Sequence, residues 1–130
     1  MNRNFLSVAA LLGALCVVLG AFAAHSLKTM ASPETVAVFE TGVRYQFYHV
    51  FALLIVALLS ERFSNKWMIW AGNAFITGII LFSGSLYLLT ALKVAENTHM
   101  QYVGVATPVG GLFFILGWVF LWLGVKQKDK

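Results

Sequence analysis

Charged residues are scarce in this chain, and four long stretches contain none at all. Only 11% of the 130 residues are Asp, Glu, Lys or Arg, about half the share of an ordinary soluble domain, whereas 60% are hydrophobic. The stretches without Lys, Arg, Asp or Glu are residues 5–24, 45–60, 67–92 and 104–125. A helix of about 20 apolar residues crosses the ~30 Å hydrocarbon layer of a bilayer. The pattern excludes a water-soluble domain and predicts an all-α, single-domain membrane protein with four spans.

Cysteine and clustered basic residues are also nearly absent. Cys16 is the only cysteine, which excludes an intrachain disulfide or a cysteine metal cluster. The net charge is +4, but the basic residues stand at the ends of the apolar stretches and form no broad patch, so we expect no nucleic-acid partner. The histidines lack HxxxH or HExxH spacing, and we therefore expect no metal and no other cofactor.

The N-terminus has two interpretations. Arg3 followed by an apolar run and Ala21-Phe22-Ala23 is similar to a signal peptide with a small-residue cleavage site. The run of about 20 residues is, however, longer than the usual apolar region of a signal peptide. We therefore predict that it remains as the first span.

The basic residues predict an orientation in the membrane. With four spans, both termini and the middle loop lie on one side. That side carries six basic residues against three on the other, which favours cytoplasmic N- and C-termini by the positive-inside rule. The six are Arg3, Arg62, Lys66, Lys126, Lys128 and Lys130, and the three are Lys28, Arg44 and Lys93.

A helix start precedes the second apolar stretch. Ser32 can cap a helix, Pro33 suits its first position, and Glu34 complements the positive end of the helix dipole. The sequence therefore predicts an interfacial helical segment that begins near Pro33 and continues into the second span.

Glycines recur at helical spacing along the predicted spans. Small residues permit the close helix approach that stabilises bundles in lipid, and seven-residue spacing keeps them on one seam. We predict a packing role for Gly13, Gly20, Gly78, Gly84, Gly110, Gly117 and Gly124.

Polar side chains within the spans gather toward the predicted outer side. The candidate binding residues are His25, Glu40, Arg44, Tyr45, Gln46, Tyr48, His49, Ser83, Ser85, Tyr87 and Thr107. On a helical wheel, the second-span members occupy one broad arc, which we expect to face the bundle because lipid satisfies no polar group. Glu40 and Arg44 are i,i+4 neighbours that can form an ion pair.

Three interpretations of this polar cluster remain open. It can be an interhelical hydrogen-bond network, a site for a small solute, lipid headgroup or ion, or a catalytic centre. His49 can be a buried neutral residue or part of a proton relay. Ser83 and Ser85 lack a GxSxG elbow, and we assign no catalytic residue.

Four sequence blocks carry a resemblance to a known family. Residues 20–27 resemble a GAFGAHxL motif, with Ala23 where the family tends to have Gly, and residues 45–49 resemble a YQxYH motif. Residues 82–87 and 107–111 also match. Together they resemble the bacterial family called domain of unknown function four-two-three, to which small eukaryotic transmembrane proteins are similar. The resemblance implies a four-span protein of the bacterial inner membrane and carries no established activity.

The sequence thus predicts a four-helix membrane bundle with a structural or accessory role rather than an enzyme. The alternative is a binder or transporter of a small solute, lipid headgroup or proton that acts as an oligomer. The expected partners are the lipid bilayer and either further copies of the chain or a larger membrane complex.

Overall fold

The computed structural model describes residues 1–96 and 100–127, and the described part is built from helices long enough to span a bilayer. Four segments have the length and hydropathy of membrane spans: Arg3–Thr29, Pro33–Leu59, Lys66–Val94 and Tyr102–Lys126. The helices are α1 (Arg3–Ala24), α2 (Pro33–Leu59), α3 (Lys66–Gly78), α4 (Gly84–Val94), α5 (Met100–Gly104) and α6 (Ala106–Lys126). The predicted all-α membrane fold is confirmed. His99, Lys128 and Lys130 lie outside the described residues.

The start of α2 confirms the predicted cap. Pro33 is its first residue, and the Ser32 hydroxyl oxygen accepts a hydrogen bond from the backbone N–H of Thr35 at 3.3 Å. The helix then continues without interruption to Leu59. The segment before the second span is therefore the first part of one long helix.

The two ends of the bundle are distinguished by the connections that lie there. At one end, here called the terminal side, the Met1 amino group lies 3.7 Å from Glu61, and the Asn65 side-chain amide donates to the Gly124 carbonyl at 2.9 Å. The N-terminus, the last turn of α6 and the α2–α3 turn therefore lie together. The opposite end, here called the loop side, holds the α1–α2 connection and the end of α4.

α2 occupies an inner position among the helices. α1 packs along α2, α2 packs against α3 and α4, and α3 packs along α6. Half of the apolar part of α2 is buried, against 17% for the first span and 22% for the fourth. Two hydrophobic clusters fill the interior, one around Leu53 and Phe75 and the other around Cys16 and Phe39.

The glycines of α6 lie where α6 meets the third span. A Cβ atom at Gly117 would stand 2.6 Å from the Phe75 ring, and one at Gly110 would overlap the backbone nitrogen of Phe82. A Cβ at Gly124 would approach Met68 at 3.0 Å. Since a Cβ essentially never comes within 3.0 Å of another heavy atom, Gly110 and Gly117 permit an approach that larger residues would prevent.

The remaining predicted packing glycines differ in how closely they are approached. A Cβ at Gly78 would overlap the Phe114 ring, whereas Gly13 and Gly20 would make ordinary contacts with Val50 and Val43. At Gly84 the nearest heavy atom, a carbonyl oxygen, stands at 4.0 Å. Gly84 therefore does not mark a tight helix contact.

A π-helical segment, Ile79–Ser83, joins α3 to α4 within the third span. It closes with a bond from the Gly84 N–H to the Ile79 carbonyl, which is the i→i+5 spacing of a π-helix. The extra residue in this turn rotates α4 relative to α3. It also places the backbone of Leu81 and Phe82 directly against Gly110.

We predict that Gly110→Ala destabilises the bundle, whereas Gly111→Ala does not. The methyl group at 110 meets backbone atoms, which cannot rotate away, and overpacking of this kind costs about 1–3 kcal/mol. A methyl group at 111 meets only the edge of the Phe82 ring at 3.8 Å. Thermal unfolding in detergent measures both variants. Equal melting temperatures would show that α6 does not rest on the π-helical segment.

Candidate functional site

The predicted polar residues separate into two groups. Gln46, Ser83, Ser85 and Tyr87 lie between helices, and all but Tyr87 are buried. Tyr45 and Tyr48, with exposed fractions of 39% and 53%, instead line a groove with the buried His49. The arc on α2 thus does not face the bundle as a unit, because α2 has neighbours on more than one side. Val36, Phe39, Val43 and Val50 on its other face are also buried.

Gln46 connects three helices. Its Nε2 donates to the Leu12 carbonyl of α1 at 2.9 Å, and its Oε1 accepts the hydroxyl hydrogen bond of Tyr87 in α4 at 2.6 Å. A backbone carbonyl can only accept, so this arrangement fixes which end of the amide faces α1. The side chain is 1% exposed. Gln46 therefore holds α1 and α4 against α2 and offers little surface to any ligand.

Serine hydroxyls extend this network to the π-helical segment and α6. Ser83 donates to the Gly42 carbonyl of α2 at 2.7 Å. Ser85 donates to the Phe82 carbonyl at 2.8 Å and lies 2.6 Å from the Thr107 hydroxyl of α6. Because a hydroxyl has a single hydrogen, Thr107 is the donor in the second contact. Both serine hydrogens are engaged in these bonds.

His49 is held by partners that determine its tautomer. Its Nδ1 lies 2.6 Å from the Tyr45 carbonyl, and the Trp118 indole N–H is directed at its Nε2 over 3.2 Å. The carbonyl can only accept and the indole can only donate. His49 is therefore neutral in this arrangement, with its hydrogen on Nδ1. The imidazole also stacks on Phe114, with ring centroids 3.5 Å apart.

An aromatic groove of about 760 Å³ runs between α2 and α6. Tyr45 and His49 of α2 face Phe114 and Trp118 of α6, and the Phe82 ring of the π-helical segment packs against Tyr45 and Phe114. The remaining lining residues are Tyr48, Pro108, Gly111, Leu112 and Ile115. Its walls are mainly apolar and aromatic.

Three predicted site residues neither join the hydrogen-bond network between helices nor line the groove. His25 caps the end of α1 through its backbone N–H, and its side chain is exposed. Glu40 and Arg44 are exposed on α2. The possible Glu40–Arg44 ion pair is absent from the described part of the chain, because the Arg44 guanidinium turns toward the Thr41 hydroxyl at 3.4 Å.

The hydrogen bonds of the described polar side chains are of the kind that joins helices in a membrane protein. Every buried side-chain nitrogen and oxygen among them has a hydrogen-bond partner. Within residues 1–96 and 100–127, no three His, Cys, Asp or Glu side chains come close enough to hold a metal ion. The serine hydroxyls donate to carbonyls rather than to a general base.

Several hydrogen-bond partners in the network could not be predicted from the pattern of polar side chains in the sequence. The acceptors at Leu12, Gly42 and Val43 are backbone carbonyls, the last bonded by the Cys16 thiol at 3.4 Å. The sequence also did not indicate the bond from Trp118 to His49. The one available signal was the i,i+4 spacing of Trp118 from Phe114, which places both rings on one face of α6.

We predict that nitrogen NMR of ring-labelled histidine finds the hydrogen of His49 on Nδ1, since Trp118 is a donor. Trp118→Phe removes that donor and should shift the Nε2 resonance, whereas Trp122→Phe should leave it in place. The His49→Gln variant assigns the signal. A hydrogen on Nε2 in the wild-type protein would contradict the described pairing.

Comparison with known proteins places the chain in a family. The family described as Protein of unknown function (DUF423) matches residues 19–111. A UPF0382 membrane protein of Haemophilus influenzae is 39% identical over 130 residues, which is 99% of each chain. UPF0382 membrane protein SH2409 of Staphylococcus haemolyticus is 40% identical over 115 residues, covering 85% of this chain and 88% of the relative.

A third relative extends over nearly the full length of the chain. UPF0382 inner membrane protein YgdD of Escherichia coli K12 is 38% identical over 131 residues, covering 99% of this chain and 95% of the relative. No solved structure matches the chain. The matched family is the one that the four sequence blocks resemble. This four-span membrane protein therefore belongs to the DUF423 family.

Proposed function

We propose that this protein is a non-catalytic accessory component of the bacterial inner membrane. The observation that carries the proposal is that the loop-side polar residues form hydrogen bonds within the protein. Gln46, Ser83 and Tyr87 bond to other helices, and the buried side-chain nitrogen and oxygen atoms of the described residues all have partners. A site for a polar substrate would keep some of these groups free to bind it. The arrangement suits a protein whose task is to hold a fixed shape in lipid.

Solute or proton transport receives less support from the same contacts. Gln46, Ser83 and Tyr87 interlock, and none of them lines the aromatic groove. Both ring nitrogens of His49 are engaged, so a proton relay would first have to break one of two hydrogen bonds. The groove itself presents mainly apolar walls.

Cytoplasmic termini are part of the proposal. Arg3, Arg62, Lys66 and Lys126 lie toward the terminal side, and Lys28, Arg44 and Lys93 toward the loop side. Lys66 stands 5.1 Å from the Trp67 ring centre, and Lys126 stands 4.8 Å from that of Trp122. Cationic and aromatic residues together are typical of a membrane interface, and the positive-inside rule assigns the side richer in basic residues to the cytoplasm.

The outer face of α1 supports association with another transmembrane helix. α1 makes its extensive contacts along one side, with α2, while its opposite side is exposed. The exposed residues Ala10, Ala14 and Ala21 lie near the middle of that side. Small side chains allow a second helix to approach closely in lipid. We propose that α1 joins either a second copy of the chain or a subunit of a larger complex.

We predict that Ala14→Leu releases the protein from its assembly. The protein is purified in a mild detergent, and light scattering with mass spectrometry gives the mass and composition of the particle. A leucine at 14 holds the partner helix away, so the particle should shrink to one chain, whereas Ala37→Leu on the exposed face of α2 should leave it intact. A wild-type protein that is already a single chain without bound protein would contradict the proposal.

A further inference from the structure

The aromatic groove between α2 and α6 lies at a depth where lipid chains are its natural neighbours. Tyr45, Tyr48 and His49 lie near the middle of α2, and Pro108–Trp118 form the first half of α6. Leu112 and Ile115 on its wall are more than half exposed. The polar atoms of His49 are already bonded. A hydrocarbon chain therefore matches the walls of the groove better than a polar solute does.

A cation without a carboxylate partner among the described residues lies one helical turn to the loop side of the groove residue Tyr48. Arg44 precedes Tyr45 and is one helical turn from Tyr48, so it lies next to both tyrosines of the wall. Its guanidinium is turned toward Thr41, which lies on the same arc one turn nearer the loop side. In the part of the chain that the structure describes, no carboxylate pairs with Arg44.

The depth of Arg44 brings it within reach of lipid phosphates. The helical rise from Arg44 to Leu59, the terminal-side end of α2, is about 22 Å. This is about 8 Å shorter than the ~30 Å hydrocarbon layer, so the backbone of Arg44 lies inside the loop-side boundary and only its long side chain can reach the interface. Arginine at such a position extends to the interface and binds phosphate oxygens through its planar fork.

We propose that the groove holds one acyl chain of a phospholipid whose phosphate pairs with Arg44. A partner helix is the competing occupant. It would have to place a carboxylate opposite Arg44 inside the hydrocarbon layer, which is costly, whereas a phospholipid keeps its phosphate at the interface, to which the Arg44 side chain extends, while its acyl chain enters the hydrocarbon layer. The lipid site uses α2 and α6, and the proposed association uses α1, so either can exist without the other.

The test is fluorescence quenching of Trp118 by a brominated lipid. Trp67, Trp70 and Trp122 are replaced by Phe, so that Trp118 on the groove wall is the only tryptophan. The protein in dodecyl maltoside is titrated with phosphatidylglycerol brominated midway along one acyl chain. We expect quenching to saturate near one lipid per protein, because the site holds one chain.

Two glycine variants test the location of the lipid. Gly111→Leu places a side chain in the groove without a backbone clash and should abolish saturable quenching. Gly104→Leu adds the same side chain where nothing lies within 4 Å, and it should leave the titration unchanged.

Removal of charge tests the role of Arg44. Arg44→Gln should weaken binding about tenfold, because it removes a charge-assisted contact with the phosphate. Brominated diacylglycerol lacks the phosphate, so it should bind the protein with Arg44 intact about as weakly as phosphatidylglycerol binds Arg44→Gln. Its affinity should not fall further in the Arg44→Gln variant.

Two results would overturn the proposal. One is quenching that rises in proportion to lipid without saturation and equally in all variants. The other is that the protein is isolated with a second protein chain covering the groove, and that brominated lipid does not quench Trp118.

Discussion

The fold depends on the rule that a polar group inside a membrane must find a polar partner within the protein. Gln46 meets this requirement most completely, because its amide bonds to α1 on one side and to α4 on the other. Each bond of this kind adds only about 0.6 kcal/mol on average in a membrane protein. Its larger effect is geometric, since one rotation of α2 lets Gln46 reach both the Leu12 carbonyl and the Tyr87 hydroxyl. The positions of His49, Tyr45 and Arg44 follow from that rotation.

Close backbone approach between α6 and the third span is the second requirement. Gly110 rests on the backbone of the π-helical segment, and Gly117 rests on Phe75. This approach brings Trp118 to His49 and Thr107 to Ser85. The glycine seam and the hydrogen bonds therefore support each other. The lipid-facing groove occupies the space that remains between α2 and α6.

The sequence was sufficient to predict the four spans, the cap at Ser32 and the concentration of polar residues toward one end of the bundle. It did not reveal that the polar residues divide between a buried hydrogen-bond network and an exposed groove, because a helical wheel treats α2 as a helix with one buried face. α2 instead has α1 on one side and α3 and α4 on others, so valines and Gln46 are buried together. Backbone acceptors such as the Gly42 carbonyl leave no signal in side-chain patterns. The turn of Arg44 toward Thr41 likewise depends on a rotamer rather than on spacing.

A double-mutant cycle between Gln46 and Tyr87, measured by reversible unfolding in mixed detergent micelles, tests the structural role of the network most directly. If their hydrogen bond joins α2 to α4, Gln46→Leu and Tyr87→Phe should be non-additive, with a coupling free energy of about 0.5–1.5 kcal/mol. The exposed Tyr48 provides the matched control, and Tyr48→Phe should add independently to Gln46→Leu. Strict additivity of Gln46→Leu and Tyr87→Phe would contradict the structural role assigned to the network.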